Sequence, residues 1–356
     1  MTRIPAVLTA LLFVFASSFL SPSAAETVDL TLLHINDFHG NLLPKPGKEG
    51  KPATGGMARI AKMVAEEREK NPGGTLLLSA GDMFQGTPIS NLFRGKPVIE
   101  TMNRMGFDAM TVGNHEFDWG MEAFQDLRKA AAFPFLSANI VDERGALLPG
   151  VKPYILLRKK GLKIAVIGIT TPETHYATKP GNLKGYRVVA VEKSLPALID
   201  KVRKEGAGPV IVLSHMGLDE DREMASRVGG IDLIVGGHSH TEVKTPVVVG
   251  STIIVQAGYY GQKLGVMKIT ADRETKKIAR YSERRILRGV KAGPNDAYDT
   301  AVAEIIKKYD DQIREEFGRV VGETRVDLAK RPFESNLGNL VCDAMREAAG
   351  ADVAIQ

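Results

Sequence analysis

Cysteine is almost absent from this chain: Cys342 is the single one among 356 residues. One thiol cannot close a disulfide within the chain, so stability has to come from packing, from a metal or from a partner. An exported protein without disulfides fits a bacterial periplasm better than an animal extracellular space.

The chain also has little excess of charge, because 47 basic and 42 acidic residues leave a net charge of +5. A slightly positive surface favours anionic substrates, whereas a nucleic-acid groove needs a basic stripe, and the basic residues here are scattered. We therefore expect no nucleic-acid partner. A hydrophobic content of 44% with 25% charged residues is that of a globular protein with a core.

Long apolar runs are missing except at the N-terminus. There Arg3 precedes an apolar run over residues 6–20, and small residues follow at 23–25. This pattern predicts a Sec-type signal peptide that is cleaved after Ala25. The alternative is an uncleaved anchor, but a membrane span needs about 20 apolar residues. We expect a periplasmic or secreted protein without stable membrane insertion.

Beyond this segment, short β-branched runs alternate with amphipathic helical stretches, which predicts a layered α/β fold. In the tail the pattern predicts a strand over residues 319–328, a helix over 336–349 and a strand from Asp352. A tail of this length cannot bury a core of its own. We expect four regions: a signal peptide at 1–25, a catalytic domain at 26–290, a linker helix at 291–318 and the incomplete start of a second domain at 319–356.

Polar side chains of the kind that bind metals follow five predicted strands. Open α/β sheets bind their ligands at the carboxyl ends of strands, so this placement predicts a site. The residues that directly follow these strands are Asp37, Asp82, Asn114, His215 and His238.

The individual motifs suggest how such a site is built. Asp37 and His39 are two positions apart at a strand end, which predicts that their side chains point the same way. A carboxylate and an imidazole together suit a first-row divalent metal. Asp82 follows a glycine and has two carboxylate oxygens with which to bridge two metals, and Asn114 offers a neutral oxygen.

The histidines strengthen this prediction, because five of the seven lie in these motifs. His115 and Asp118 are expected to form a pair in which the carboxylate fixes the imidazole tautomer. Glu116, between them, is expected to be a surface or helix-start carboxylate outside the site. His34 and His175 are expected to be structural.

The order Asp-x-His, Gly-Asp, Gly-Asn-His-Glu, His and Gly-His-x-His resembles the signature of the calcineurin-like metallophosphoesterases. The fuller forms at residues 36–40, 81–86 and 113–118 are similar to the bacterial 5'-nucleotidases within that superfamily. The resemblance is dense over residues 30–264 and resumes at 335–340, which looks like the opening of that family's C-terminal domain. It implies a layered α/β/β/α sandwich.

The resemblance also implies two divalent metal ions of the Mn, Zn, Co, Fe or Mg class and hydrolysis of a 5'-nucleotide to nucleoside and phosphate by a metal-bridging hydroxide. The pair His115 and Asp118 would stabilise the transition state. The implied metal ligands are Asp37, His39 and His240 for one ion, Asn114, His215 and His238 for the other, and Asp82 as the bridge.

The substrate stays open at this point. In the family a C-terminal domain binds the base, and the sequence ends at Gln356, so we expect a fragment of a longer protein. A 2',3'-cyclic phosphodiesterase, a sugar-nucleotide hydrolase and a thiosulfohydrolase remain as alternatives on the same metal site. A non-catalytic metal-binding module is the alternative of another class, and the oligomeric state is not predicted.

Overall fold

Alternating strands and helices fill the part of the chain that the structure, a computed structural model, describes: residues 26–47, 52–179, 181–320 and 322–355. The predicted signal peptide and its cleavage after Ala25 lie outside the described residues. The chain divides into two units, Met1–Tyr309 and Asp310–Gln356. No helix among the described residues has an apolar stretch of bilayer-spanning length.

The strands are numbered in chain order. They are β1 (Thr27–Ile35), β2 (Thr75–Ser79), β3 (Ala109–Thr111), β4 (Phe135–Leu136), β5 (Ile140–Asp142), β6 (Tyr154–Lys159), β7 (Leu162–Thr170), β8 (Tyr186–Val188), β9 (Val210–His215), β10 (Leu233–Gly236), β11 (Val247–Val249), β12 (Thr252–Val255), β13 (Lys263–Asp272), β14 (Ile278–Tyr281) and β15 (Leu287–Gly289).

The helices are numbered in the same way. They are α1 (Met57–Lys70), α2 (Pro88–Leu92), α3 (Lys96–Met105), α4 (Gly120–Ala130), α5 (Thr174–Ala177), α6 (Leu195–Lys204), α7 (Leu218–Arg227), α8 (Thr300–Phe317) and α9 (Asn336–Ala349). Two single 3₁₀ turns lie at His115–Phe117 and Val191–Lys193.

Most strands belong to two sheets. The first sheet has the order β14-β13-β1-β2-β3-β4 with β15 beside β13, and the second has the order β11-β12-β10-β9-β7-β6. Strands β1, β2 and β3 are parallel in the first sheet, and β7, β9 and β10 are parallel in the second. The carboxyl ends of parallel strands meet at one edge of a sheet, so each sheet presents the loops that carry the motifs.

The two sheets pack face to face. Leu32 of the first sheet lies in one buried cluster with Leu213 and Val235 of the second. The other face of the second sheet packs on α6 and α7, where Ile199 and Met224 are buried in a second cluster. Helices α1 and α3 bury their apolar faces as well, and α1 contacts β2. The layers are therefore α/β/β/α, and the predicted fold class is confirmed.

The predicted elements differ from the structure mainly at their ends. The sequence pattern predicts a short helix over 98–105 that opens just after Pro97. Helix α3 begins earlier, at Lys96, because a proline in the first turn loses no helical hydrogen bond. The pattern also predicts a strand over 163–168, and β7 extends beyond both of its ends, over Leu162–Thr170. Helix α8 covers much of the predicted linker, and Tyr309 within it donates a hydrogen bond of 2.6 Å to Glu100.

The second unit contains the predicted helix, here α9. The Ser335 side chain accepts a hydrogen bond from the Gly338 amide at its start, and Gly350 in a left-handed conformation ends it. The strands predicted at 319–328 and from Asp352 are wrong for the described residues of this tail. A strand needs a hydrogen-bonded neighbour, and no described strand pairs with either segment.

Glu67 on α1 is a fully buried carboxylate that joins this helix to the first sheet. It accepts hydrogen bonds of 2.7 Å from Lys70, Lys268 and Arg288. Burial alone would raise the pKa of Glu67. Hydrogen bonds from Lys268 and Lys70 and the positive charges nearby outweigh burial, and the pKa falls from 4.5 to about 2. The ionised form therefore stabilises the fold.

We expect Glu67→Gln to lower the free energy of unfolding by about 1–2 kcal/mol at neutral pH, because three donors lose a charged acceptor while their exposed ends remain screened by solvent. A carboxylate whose pKa is lowered by folding contributes its full stabilisation above its pKa in the unfolded chain. The difference in unfolding free energy between the wild type and Glu67→Gln should therefore fade as pH falls from 4.5 to about 2. Urea unfolding measures both. The exposed Glu69→Gln on the same helix is the control, and a deficit independent of pH would contradict the assignment.

Candidate metal centre

The predicted ligands come together where the two sheets meet. Asp37 follows β1, Asp82 follows β2 and Asn114 follows β3, whereas His215 ends β9 and His238 follows β10. The first sheet therefore supplies the carboxylates and the amide, and the second supplies histidines. The structure brings six of the seven predicted ligands into two neighbouring clusters, and the seventh, Asn114, lies beside His215 of the second.

The first cluster consists of Asp37, His39 and His240, whose ligand atoms lie within 4.8 Å of one another. His240 Nε2 lies 3.2 Å from His39 Nε2 and 3.3 Å from Asp37 Oδ1. Two imidazole nitrogens that face each other at this distance need a proton or a cation between them. The donors thus suit a divalent metal ion of the nitrogen- and oxygen-binding class.

The second cluster consists of Asp82, His215 and His238, again within 4.8 Å of one another. His215 Nε2 lies 3.0 Å from Asp82 Oδ2 and 3.2 Å from Asn114 Oδ1. Asp82 Oδ2 is also 4.0 Å from His39 Nε2 in the first cluster. Asp82 therefore lies between the clusters, and the two clusters are consistent with two divalent metal ions.

The charges of the second cluster are strongly coupled. Burial raises the pKa of Asp82, but the charge of His215 and its hydrogen bond lower it well below its usual range. Burial lowers the pKa of His215, but the charge and hydrogen bond of Asp82 raise it to about 10. The proton on His215 compensates a buried carboxylate, and a metal ion fits the same role because ligands bind metal in place of protons.

The backbone turns sharply at the ligands. Eleven non-glycine residues in the described part of the chain have a positive φ, and five of them are predicted ligands: Asp37, His39, Asp82, His238 and His240. This conformation costs about 1–2 kcal/mol for a residue with a Cβ atom, and it concentrates at functional sites. The predicted ligands are therefore held in a conformation that their own preferences oppose.

Asp37 and His39 do lie in one cluster, but the strand alternation predicted to bring them together is wrong. Strand β1 ends at Ile35, and both residues lie in left-handed turns with φ of 47° and 49°. Strand alternation therefore does not aim their side chains. The loop after β1 is held against the loop after β2, because the Asp37 amide donates to Gly81 O and the His39 amide donates to Asp82 O, both at 3.0 Å.

Two glycines allow the loop after β10 to approach the centre. A Cβ atom on Gly236 would collide with the carboxylate of Asp221, and one on Gly237 would collide with Ala80 O. The His238 amide, next in the chain, donates to both carboxylate oxygens of Asp37, at 3.1 and 3.0 Å. The loop of the second sheet is thus fastened to a ligand of the first.

Three of the four histidines in the clusters have a partner for the ring nitrogen that faces away from the neighbouring ligands. His39 Nδ1 donates to Gln85 O at 2.8 Å, and His215 Nδ1 donates to Ala80 O at 2.6 Å. His238 Nε2 contacts Glu173 Oε2 at 2.8 Å. Sequence analysis missed Glu173, although it follows β7 at the same edge of the second sheet.

His115 and Asp118 form the predicted pair. His115 Nδ1 donates to Asp118 Oδ2 at 2.6 Å, and Asp118 Oδ1 accepts from Thr178 Oγ1 at 3.0 Å. Burial lowers the pKa of His115, but the hydrogen bond to Asp118 and the charge of Asp82 outweigh it and raise the pKa to about 9. The ring is therefore oriented, and it holds a proton at neutral pH.

Glu116 lies in the first turn of the 3₁₀ helix His115–Phe117 and outside the two clusters, as one of the two expectations had it. The other expectation, an exposed surface carboxylate, is wrong, because the side chain is 1% exposed. Its carboxylate accepts hydrogen bonds from the backbone amides of Gly113, Asp82 and Met83, at 2.6, 2.9 and 2.8 Å. Burial and the charge of Asp82 raise the pKa of Glu116 to about 7. Glu116 ties the loops after β2 and β3 together.

Two other residues that sequence analysis missed also hold the loops. Asn36 donates to Asp37 Oδ2 at 2.7 Å and to Gly258 O at 2.6 Å, so it orients a predicted ligand. Gln256 accepts from the Thr241 amide at 2.8 Å and donates to Gly237 O, which braces the loop after β10. Asn36 is the first residue of the motif at 36–40, but no role was predicted for it.

The remaining histidines lie outside the clusters. His34 is fully buried on β1, and a Cβ atom on its β13 neighbour Gly265 would collide with its ring. Burial lowers the pKa of His34 to about 4. His175 accepts a hydrogen bond of 3.1 Å from the Val188 amide.

A polar cavity of about 610 Å³ opens over the clusters. Its volume is within the range of small-molecule sites. The residues around it are His39, Asn41, Asp82, Gln85, Gly86, Thr87, Asn114, His115, Ala177, His238, His240 and Tyr260.

Curated 5'-nucleotidases are similar in sequence to this chain over most of its length. A snake venom 5'-nucleotidase of Gloydius brevicauda is 35% identical over 354 residues, which cover 90% of this chain and 59% of the relative. The rat 5'-nucleotidase is 32% identical over 353 residues, with 90% and 60% covered. The chain thus spans about three fifths of the length of these curated relatives.

Solved structures show the same fold. The 5'-nucleotidase precursor of Thermus thermophilus superposes with a TM-score of 0.77 at 31% identity, over 91% of this chain and 68% of that one. The calcineurin-like phosphoesterase YfkN of Bacillus subtilis gives a TM-score of 0.70 at 25% identity, over 83% and 100%.

The sequence profile of the calcineurin-like phosphoesterases matches residues 30–242, a segment that contains all seven predicted ligands. The predicted hydrolase class is confirmed at the level of the family. Because the match covers more than half of the chain, this protein belongs to the calcineurin-like phosphoesterase family.

Proposed function

We propose that the protein is an exported phosphohydrolase with two divalent metal ions that releases phosphate from 5'-nucleotides. The observation that carries the proposal is the pair of ligand clusters with Asp82 between them. Nucleotide substrates are supported by the 5'-nucleotidases among its relatives. Export is supported by the N-terminal sequence pattern.

In this proposal Asp37, His39 and His240 would hold one ion, Asn114, His215 and His238 would hold the other, and Asp82 would be a ligand shared by the two. The ions supply Lewis-acid stabilisation of the phosphoryl oxygens and an activated water for in-line attack. The buried Asp37 and Asp82 provide negative charge, and Asp82 also lines the cavity. Asn114 adds an oxygen donor without adding more negative charge.

His115 is the proposed proton donor. Its Nδ1 is engaged by Asp118, so Nε2 is the nitrogen left for the cavity, to which His115 contributes. An oriented imidazolium there stabilises negative charge on the transferring group and protonates the leaving nucleoside oxygen. Asp118 acts through His115: it fixes the ring and stabilises its charge.

The central experiment measures phosphate release from AMP with added Mn²⁺. Removing the metal with a chelator should abolish activity, and Asp82→Asn should reduce it at least about 100-fold, because loss of a ligand costs more than loss of a supporting residue. The exposed Asp126→Asn on α4 is the control and should retain activity.

Metal content and melting temperature of Asp82→Asn separate loss of metal from loss of fold. Activity that survives both the chelator and the substitution would refute the proposal. Two bound metals with no turnover on AMP, cyclic nucleotides, sugar nucleotides or other phosphoesters would instead favour a non-catalytic metal-binding module.

The role of His115 is tested with two leaving groups. His115→Asn should lower kcat/KM for AMP by about 100- to 10,000-fold, the usual contribution of general acid catalysis. The loss for p-nitrophenyl phosphate should be much smaller, because nitrophenolate departs without a proton. His175→Asn, at an exposed histidine on α5, is the matched control. Equal losses on both substrates would show that His115 does not protonate the leaving group.

A further inference from the structure

The histidines of the two clusters are not supported in the same way. His39 and His215 each place Nδ1 against a backbone carbonyl, Gln85 O and Ala80 O, which leaves Nε2 for the centre. A carbonyl on a packed loop is neutral and fixed by the fold. For these two rings the supporting partner cannot be removed by a change of side chain.

His238 differs in both respects. Its Nε2 lies 2.8 Å from Glu173 Oε2. A carboxylate only accepts hydrogen bonds, so Nε2 carries the hydrogen, and in the neutral ring the free lone pair is on Nδ1. His238 therefore presents the opposite nitrogen to the centre, and its partner is a charged side chain.

The charge of this partner has a chemical consequence. A carboxylate that accepts the N–H of a metal-binding imidazole fixes the ring and makes its other nitrogen a stronger donor. His240, in the first cluster, contacts no carboxylate among the described residues other than Asp37 of its own cluster, and its ring stacks on Tyr259, with centroids 5.1 Å apart. Only the second cluster has such support among the described residues.

Glu173 is held firmly although its side chain is 49% exposed. Its amide donates to Thr171 Oγ1 at 3.2 Å, and its carbonyl accepts from the amides of Tyr176 and Ala177 at 2.9 and 2.8 Å. The turn that carries it follows β7 directly, and Thr170 at the end of β7 donates to Val112 O at 2.7 Å. The backbone that carries the carboxylate is therefore fixed to the end of β7 in the second sheet.

We infer that Glu173 is a positioning residue of the metal centre. It holds His238 with Nδ1 toward the second cluster, and it strengthens metal binding at that cluster alone. The inference rests on the proposed two-metal site and does not depend on the substrate. It predicts that the two metal affinities respond differently when Glu173 is changed.

The first measurement uses the metal-free protein labelled with ¹⁵N-histidine, at a pH of about 8, where free imidazole is neutral. The wild type should show His238 as the Nε2-protonated tautomer. Glu173→Ala should convert this signal to a mixture of tautomers, and Glu173→Gln should keep the tautomer because its amide oxygen still accepts the hydrogen. An unchanged tautomer in Glu173→Ala would overturn the inference.

The second measurement is a calorimetric titration with Mn²⁺. Glu173→Ala should weaken one of two sites by about 10- to 100-fold and leave the other unchanged, with Glu173→Gln between it and the wild type. Glu192→Ala, at an exposed carboxylate on the turn Val191–Lys193, should bind as the wild type does.

The outcomes separate this inference from the proposed function. Two sites of wild-type affinity in Glu173→Ala, or equal weakening of both together with a lower melting temperature, would overturn the inference and leave the proposed function standing. A wild-type protein that binds no metal would overturn both.

Discussion

The rest of the centre depends on two carboxylates, Asp37 and Asp82, which are buried where the two sheets meet. A buried charge is unstable unless other groups compensate it, and these two are compensated from both sheets. Asp37 accepts from Asn36 and the His238 amide, and Asp82 pairs with His215 and accepts from the His115 amide at 2.9 Å. The His238 amide and the His215 ring of the second sheet thus help to compensate the two carboxylates of the first sheet.

This compensation depends on loops that are bent into unfavourable conformations. Left-handed turns at Asp37, Asp82 and His238 aim side chains that an extended strand would send to opposite faces. Networks outside the clusters maintain these turns, with Glu116 holding three amides of two loops. The strain is compatible with a stable protein because the double-layered core and charges such as Glu67 stabilise the sheets independently.

Much of this arrangement is predictable from the sequence, since strands and helices follow hydrophobic periodicity and the ligand-type residues lie directly after strands. The grouping that the family signature implies for the histidines matches the two clusters that the structure brings together. The residues that support the candidate ligands were not predicted. Glu116 is indistinguishable from a surface acid in sequence, because its burial results from loops folding over it. The role of Glu173 cannot be predicted from sequence either, because Glu173 and His238 are 65 positions apart in the chain. Strands predicted in the tail failed because β-propensity does not say whether a pairing partner exists.

The distances along the chain between ligands also bear on how the protein forms. His39 and His240 are separated by 201 positions, and Asn114 and His215 by 101. Contacts this remote form only after the entropy of closing long loops has been overcome, which places them late in folding. A chain that has made only one sheet offers a metal ion an incomplete set of the candidate ligands. Interactions completed after the folding transition state act chiefly on unfolding, so bound metal should prolong the lifetime of the native protein without speeding its formation.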